Sequence, residues 1–195
     1  MIRLPVIERG RGLRTLALRP VLRWFFGCPI PGFVKVLLYR HEFFGKPLGR
    51  YGQAVLRGPS RWSVAERELF AALVSVGNQC GYCAGVHCSI AGVVLGTGVV
   101  DDVVHDRDPG RAGPRVAAMV PFLHRLSARP DRIATGDVLE LRTAGLDDAE
   151  ILDAVHAAVL LEICNRVVNA LGVEPMGPAQ NRRAARFLLH HGYDL

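Results

Sequence analysis

Apolar residues recur every three or four positions along most of the chain, which is the spacing of helices that bury one face. The clearest example follows Ser63, which forms a capping-box pattern with Glu66 and so predicts the start of a helix. The predicted apolar face of this helix comprises Leu69, Ala72, Leu73 and Val76. Gly77 and Asn78 suit its end, because both residue types tolerate a positive φ angle.

The same spacing, together with capping and helix-breaking residues, predicts an all-α fold. Asp147 and Glu150 form a second capping-box pattern, which opens the longest predicted helix, over residues 148–171. Shorter helices are predicted over residues 33–40, 48–56, 80–95, 99–105, 114–128, 135–144 and 179–190, with a polar loop over residues 106–113. Nowhere in the sequence do apolar and polar residues alternate between turns as they do in a strand.

The composition fits one folded domain with a sizeable core. Of the 195 residues, 50% are hydrophobic and 22% are charged, which excludes a disordered or fibrous chain. The cysteines are too few and too unevenly spaced for a disulfide scaffold; they are Cys28, Cys80, Cys83, Cys88 and Cys164. Because the sequence shows no evident signal peptide, we expect a reducing, cytoplasmic location.

The positive charge is concentrated at the N-terminus. Residues 1–41 contain eight Lys or Arg and one acidic residue, whereas the rest of the chain contains 16 basic and 17 acidic residues. We therefore divide the chain into a basic arm, residues 1–32, and a helical domain, residues 33–195. We expect the arm to pack on the domain or on a neighbouring subunit, not on a membrane or a nucleic acid. The longest weakly polar run, residues 84–100, is too short to span a membrane.

Cys80, Cys83 and His87 form the most informative cluster in the sequence. If a helix begins at Cys80, these three side chains fall within about 60° of one another and share one face. The positive end of a helix dipole lowers the pKa of a thiol, so one cysteine can be a thiolate near neutral pH. His87 lies one turn beyond Cys83 and can exchange a proton with it. Glu68, on the preceding helix, is the candidate to complete a proton relay.

Three interpretations of this cluster compete. A Cys-x-x-Cys pair is often half of a zinc site, with His87 as a third ligand and Glu68 as a conceivable fourth. The sequence has no second Cys-x-x-Cys or His-x3-His to support such a site. The thiols can also be buried and inert, as we predict for Cys88 and Cys164. Redox chemistry is favoured, because the helix start, the shared face and the acid–base neighbours all suit a dithiol.

The cluster resembles a known family motif. The spacing Glu-x11-Cys-x2-Cys-x3-His is that of the AhpD-like alkylhydroperoxidase branch of the carboxymuconolactone decarboxylase family. The motif positions are Glu68, Cys80, Cys83 and His87. The resemblance covers about residues 33–175, including residues 145–152 and 165–172 in the second half. It implies an AhpD-like helical fold with the Cys-x-x-Cys pair at the N-terminus of a core helix, assembled as a homo-oligomer, either a trimer or a hexamer.

The resemblance also implies an antioxidant enzyme that reduces hydroperoxides. Cys83 is then the peroxidatic cysteine, and Cys80 is the resolving one, which passes electrons on from an unidentified thiol or protein reductant. Because Cys83 lies deeper along the helix, we expect Cys80 at the mouth of the site, where the reductant can reach it. Glu68 and His87 serve the proton relay. No metal is expected, and no cofactor beyond the redox-active disulfide. Tyr82 stands where the best-studied AhpD type has a His, which argues against that type's partner system.

Two other functions stay open. The chain can be a regulatory module whose Cys-x-x-Cys pair senses redox state and whose basic arm binds a partner. It can also be a lyase like the decarboxylases of the family, with Glu68 and His87 as acid and base, although those decarboxylases lack the Cys-x-x-Cys pair. Turnover of peroxide with an electron donor separates an enzyme from a sensor. Activity that survives replacement of both cysteines by serine would identify a lyase.

Overall fold

The computed structural model describes residues 2–9 and 30–194 of the chain. Its α-helices are α1 (Pro5–Arg9), α2 (Gly32–Tyr39), α3 (Lys46–Arg57), α4 (Val64–Gly77), α5 (Gly81–Leu95), α6 (Thr97–Val104), α7 (Pro114–Ala128), α8 (Thr135–Thr143), α9 (Asp148–Leu171) and α10 (Pro178–His191). Short connections are a π-helical turn (His41–Gly45) and 3-10 turns (Pro109–Ala112 and Pro130–Arg132). These two described ranges contain no strand, so the prediction of an all-α fold is confirmed.

Most predicted helices begin and end within a few residues of the observed ones. Helix α3 is longer than the prediction of residues 48–56, because Pro47 lies in its first turn, where the missing N–H costs no hydrogen bond. The end of α4 differs from the prediction. The positive φ angle expected at Gly77 or Asn78 occurs instead at Gln79, where φ is 52°.

Helix α4 runs through the centre of the domain. Its capping box is present: the Glu66 N–H donates to Ser63 Oγ (3.2 Å), and the Ser63 N–H donates to Glu66 Oε2 (2.7 Å). The sequence pattern predicts one buried face, yet every residue from Leu69 to Ser75 is buried. The helix is therefore covered on all sides, chiefly by α5, α7 and α9. The polar side chain of Glu68, in the same helix, consequently lies inside the core.

A tight turn joins α4 to α5 and places Cys80 at the N-cap of α5. Gln79 takes the left-handed conformation, and the Cys80 N–H donates to the Ser75 carbonyl oxygen (2.9 Å). The side chain of Asn78 donates to Glu162 Oε1 on α9 (2.8 Å). These hydrogen bonds tie the start of α5 to both neighbouring helices.

The described part of the basic arm packs on the helical domain, as expected from the sequence. The Arg3 N–H donates to the Leu171 carbonyl oxygen at the end of α9 (2.8 Å). Glu8 forms an ion pair with Lys35 on α2 (2.5 Å). Residues 10–29 of the arm lie outside the described residues. Within the described ranges, each helix is too short or too polar to cross a lipid bilayer.

Replacement of Ser63 by Ala is expected to destabilise the protein by about 1 kcal/mol, because the N-cap hydroxyl of α4 is lost. Ser63→Gly is the matched control and is expected to cost only about a few tenths of a kcal/mol, because glycine is tolerated at an N-cap. Urea unfolding followed by circular dichroism measures both losses. An unchanged free energy of unfolding in Ser63→Ala would show that the hydroxyl contributes nothing as a cap.

Candidate active site

The residues predicted to carry the chemistry lie in the interior, where α4 meets α5. Glu68 on α4 and Cys80 at the N-cap of α5 are completely buried. Cys83 and His87 on α5 are buried with solvent-exposed fractions of 4% and 7%. Two direct contacts join them. The Glu68 carboxylate contacts the His87 ring, and the side chains of Cys80 and Cys83 are hydrogen-bonded to each other.

The Glu68 carboxylate is held from three sides. Its Oε2 lies 2.6 Å from Nδ1 of His87. Its Oε1 accepts from Nη1 of Arg57 on α3 (2.6 Å) and from the hydroxyl of Tyr193, beyond the end of α10 (2.8 Å). The sequence indicated the first of these partners but not the other two, because neither Arg57 nor Tyr193 belongs to a local motif.

Glu68 is ionised despite its complete burial. Burial alone raises the pKa of this carboxyl, but the charge and hydrogen bonds of His87 and Arg57 outweigh that effect and hold its pKa below the usual range. Tyr193 behaves in the opposite way. Burial, and then the nearby Glu68 charge, raise the pKa of its hydroxyl well above the usual range, so Tyr193 stays neutral and donates.

The ionised state of Glu68 fixes the tautomer of His87. A carboxylate can only accept hydrogen bonds, so the proton between the two groups belongs to Nδ1 of His87. Nε2 is then the ring nitrogen that can take up or give back a proton. His87 borders the same cavity as Cys83 and follows it by one helical turn.

The two thiols of the Cys-x-x-Cys pair differ in acidity. The pKa of Cys80 is lowered to about 7, chiefly by the hydrogen bond from the Cys83 side chain. Burial opposes this effect, and hydrogen bonds from the backbone amides of Cys83 and Tyr82 add to it. The pKa of Cys83 is raised, because its proton is held in that hydrogen bond and because the side chain is buried. Cys80 therefore carries the thiolate near neutral pH, and Cys83 carries the shared proton.

An apolar cavity of about 150 Å³ gives access to only one of these sulfurs. Cys83, His87 and Tyr193 border it together with apolar side chains of α2, α3, α9 and α10, among them Phe33, Leu48, Leu56, Leu160 and Phe187. Cys80 is not among the residues that border the cavity, and it is fully buried. The expectation that Cys80 lies at the mouth of the site is therefore wrong. The N-cap position directs it towards the core, where helices pack over it.

Comparison with known proteins fits this arrangement. Residues 44–123, which include Glu68, Cys80, Cys83 and His87, match the carboxymuconolactone decarboxylase family. This segment of the chain is therefore similar to that family, as the motif in the sequence predicted. The matched segment ends at residue 123, whereas the resemblance predicted from the sequence continued to about residue 175. No curated protein matches the chain.

Solved structures show that the chain has the AhpD-like fold. A peroxidase-related protein from Ralstonia eutropha JMP134, described as an alkylhydroperoxidase AhpD core, is 22% identical and superposes with a TM-score of 0.75, over 93% of this chain and 96% of that one. A peroxidase-related protein from Silicibacter sp. TM1040 is also 22% identical, with a TM-score of 0.72, over 87% of this chain and 88% of that one.

A third cysteine borders the cavity beside Cys83. Cys164 on α9 is buried, as predicted, but the sequence did not indicate that it faces the site. Burial raises the pKa of its thiol to about 12, so Cys164 is neutral at physiological pH. Cys88 is partly buried and borders a different surface groove, and Cys28 lies outside the described residues.

The zinc interpretation finds no support in the positions of the side chains. In the described part of the chain, no three His, Cys, Asp or Glu side chains converge as metal ligands. Glu68, the conceivable fourth ligand, directs both carboxylate oxygens to Arg57, His87 and Tyr193 instead.

Proposed function

We propose that the protein is an enzyme that reduces organic hydroperoxides through a dithiol–disulfide cycle of Cys80 and Cys83. One combination of features at the site carries the proposal. The acidic thiol of Cys80 contacts Cys83, Cys83 borders an apolar cavity, and His87 is held by an ionised carboxylate. The similarity to peroxidase-related structures supports the same assignment.

The first step takes place at Cys83, which borders the cavity. Nε2 of His87 accepts the thiol proton, and the Cys83 thiolate attacks the distal oxygen of the hydroperoxide. The O–O bond breaks, which leaves a sulfenic acid on Cys83 and an alkoxide. His87 returns its proton to the alkoxide, and an alcohol leaves. The sulfur has been oxidised by two electrons and the peroxide reduced by two.

The second step uses the acidic thiol. The Cys80 thiolate attacks the sulfur of the sulfenic acid, a disulfide forms, and the departing hydroxide takes a proton from the solvent to become water. Cys80 suits this role because its pKa of about 7 leaves much of it ionised, and because its side chain already contacts Cys83. A thiol reductant then supplies two electrons, which reduces the disulfide and restores both thiols.

The cavity favours organic hydroperoxides over hydrogen peroxide. Its walls are mainly apolar, and they offer an alkyl group contacts that a small polar peroxide cannot make. Glu68 does not border the cavity, so it acts on the substrate only through His87. This placement also argues against a lyase in which Glu68 is the acid, because an ionised carboxylate that does not face the substrate has no proton to give it.

A titration of free thiols with tert-butyl hydroperoxide tests the proposal. One equivalent of peroxide is expected to consume two thiols per chain, and peptide mapping is expected to show the disulfide between Cys80 and Cys83. The variant Cys164→Ser is the control and is expected to give the same result. Failure to consume thiols, or a disulfide between Cys83 and Cys164, would contradict the proposed cycle. Catalytic turnover with a dithiol reductant would distinguish an enzyme from a redox sensor.

The oligomeric state, the reductant and the cytoplasmic location stay predictions. Helix α9 presents a stripe of partly exposed apolar side chains, Leu152, Val159 and Ile163, with exposures of 52%, 40% and 40%. Such a stripe suits contact with another copy of the chain, which supports the expectation of a homo-oligomer.

A further inference from the structure

The last residues of the described chain are built into the site. After α10 ends, Gly192 turns the chain with a φ angle of 73°, and the N–H of Tyr193 donates to Gln53 Oε1 on α3 (2.8 Å). A side chain at Gly49 would place its Cβ 2.8 Å from the carbonyl oxygen of Tyr193. Glycine at these positions lets the tail lie directly on α3, so the location of Tyr193 is specific.

Tyr193 contacts the Glu68 carboxylate and two of its neighbours, Arg57 and His87. Its hydroxyl donates to Oε1 of Glu68 (2.8 Å), and the guanidinium carbon of Arg57 lies 4.8 Å from the centre of its ring. The ring is nearly parallel to that of His87, with 6.4 Å between the centres. Its position beside Cys83 in the cavity wall adds a fourth link to the site.

We infer that Tyr193 is a positioning residue, whose hydroxyl fixes the Glu68 carboxylate and limits the negative charge that Glu68 presents to His87. The inference rests on the proposed function, because it concerns how His87 exchanges protons with Cys83 and substrate. Arg57 from α3 also donates to Glu68, and the charge of Arg67 from α4 interacts with it; both remain when the hydroxyl is removed.

The physical reason is that a carboxylate divides its charge among its hydrogen-bond donors. With the Tyr193 hydroxyl in place, Oε1 is bound by two donors and Oε2 by His87. Without that hydroxyl, more of the charge acts on His87 and stabilises its protonated form. His87 then takes a proton from Cys83 more readily but returns it to the alkoxide less readily.

Tyr193→Phe tests this inference, since it removes only the hydroxyl and keeps the ring packed. The variant is made in a Cys80→Ser background, which isolates Cys83 and places a favoured N-cap residue at the start of α5. The pH profile of Cys83 alkylation by iodoacetamide is expected to shift to lower pH by about one unit. A shift of this size corresponds to the energy of one charge-assisted hydrogen bond. Formation of the sulfenic acid with tert-butyl hydroperoxide is expected to slow roughly three- to tenfold.

Tyr51→Phe in the same background is the matched control. Tyr51 is a residue of α3, the helix on which the tail of the chain packs. Its hydroxyl donates to the carbonyl oxygen of His156, but Tyr51 does not border the cavity. We expect the control to change neither rate. A purely structural role for Tyr193 would lower alkylation and peroxide reaction together at every pH, and that outcome, or no change at all, would overturn the inference. Because alkylation needs no peroxide, a protein that fails to reduce peroxide yet shows the expected alkylation shift would contradict only the proposed function.

Discussion

Cys83→Ser is expected to abolish peroxide consumption, whereas Cys80→Ser is expected to allow one turnover and trap a sulfenic acid on Cys83. The difference follows from access, because Cys83 borders the cavity and Cys80 is completely buried behind it. A serine hydroxyl is too weakly acidic to replace the thiolate as nucleophile at neutral pH. The Cys80→Ser change also removes the hydrogen bond to the Cys80 thiolate and its charge, both of which raise the pKa of Cys83, so the remaining thiol stays reactive.

A dimedone-type label followed by mass spectrometry measures the sulfenic acid, and a peroxide assay measures consumption. Cys164→Ser is the matched control, because Cys164 is a third thiol at the same cavity and is expected to be dispensable. The roles of the two cysteines would be reversed if Cys83→Ser consumed peroxide at the wild-type rate while Cys80→Ser did not. Loss of consumption in Cys164→Ser would instead add a third thiol to the cycle.

The helices were predictable because their signals are local. The capping boxes at Ser63 and Asp147 lie within single helical turns, and both form the expected pairs of hydrogen bonds. The contact between Glu68 and His87 was also within reach, since a family motif connects two helices that follow each other in the chain. In each case the information lies in a short segment and in one connection between neighbours.

The rest of the site depends on contacts that no local pattern encodes. Tyr193 reaches Glu68 from 125 residues away in the sequence, and a single tyrosine near the end of a basic helix gives no sign of it. Burial of Cys80 was missed for a related reason. Helical geometry predicts which side chains share a face, but the packing of other helices decides which of them solvent can reach.

Glu68→Gln is expected to destabilise the protein by about 3–5 kcal/mol at neutral pH, because it leaves the charge of Arg57 buried without its partner. It is also expected to slow peroxide reduction by roughly 10²–10⁴, because His87 loses the carboxylate that orients it. Glu42→Gln is the matched control. Glu42 is 79% exposed and pairs with Lys46, so its replacement is expected to cost about 0–1 kcal/mol.

The pH dependence of stability tests whether the loss of stability in Glu68→Gln comes from the charge of Glu68. The folded state lowers the pKa of Glu68, so the stabilisation from this group is fully present above its unfolded pKa and is lost as the pH falls through the folded value. Glutamine does not titrate, so the difference in unfolding free energy between wild type and Glu68→Gln should be largest at neutral pH and should shrink below about pH 4.3. Denaturant unfolding at pH 7 and at pH 3 measures the difference. If it were the same at both values, the loss would come from packing at Glu68 and not from its charge.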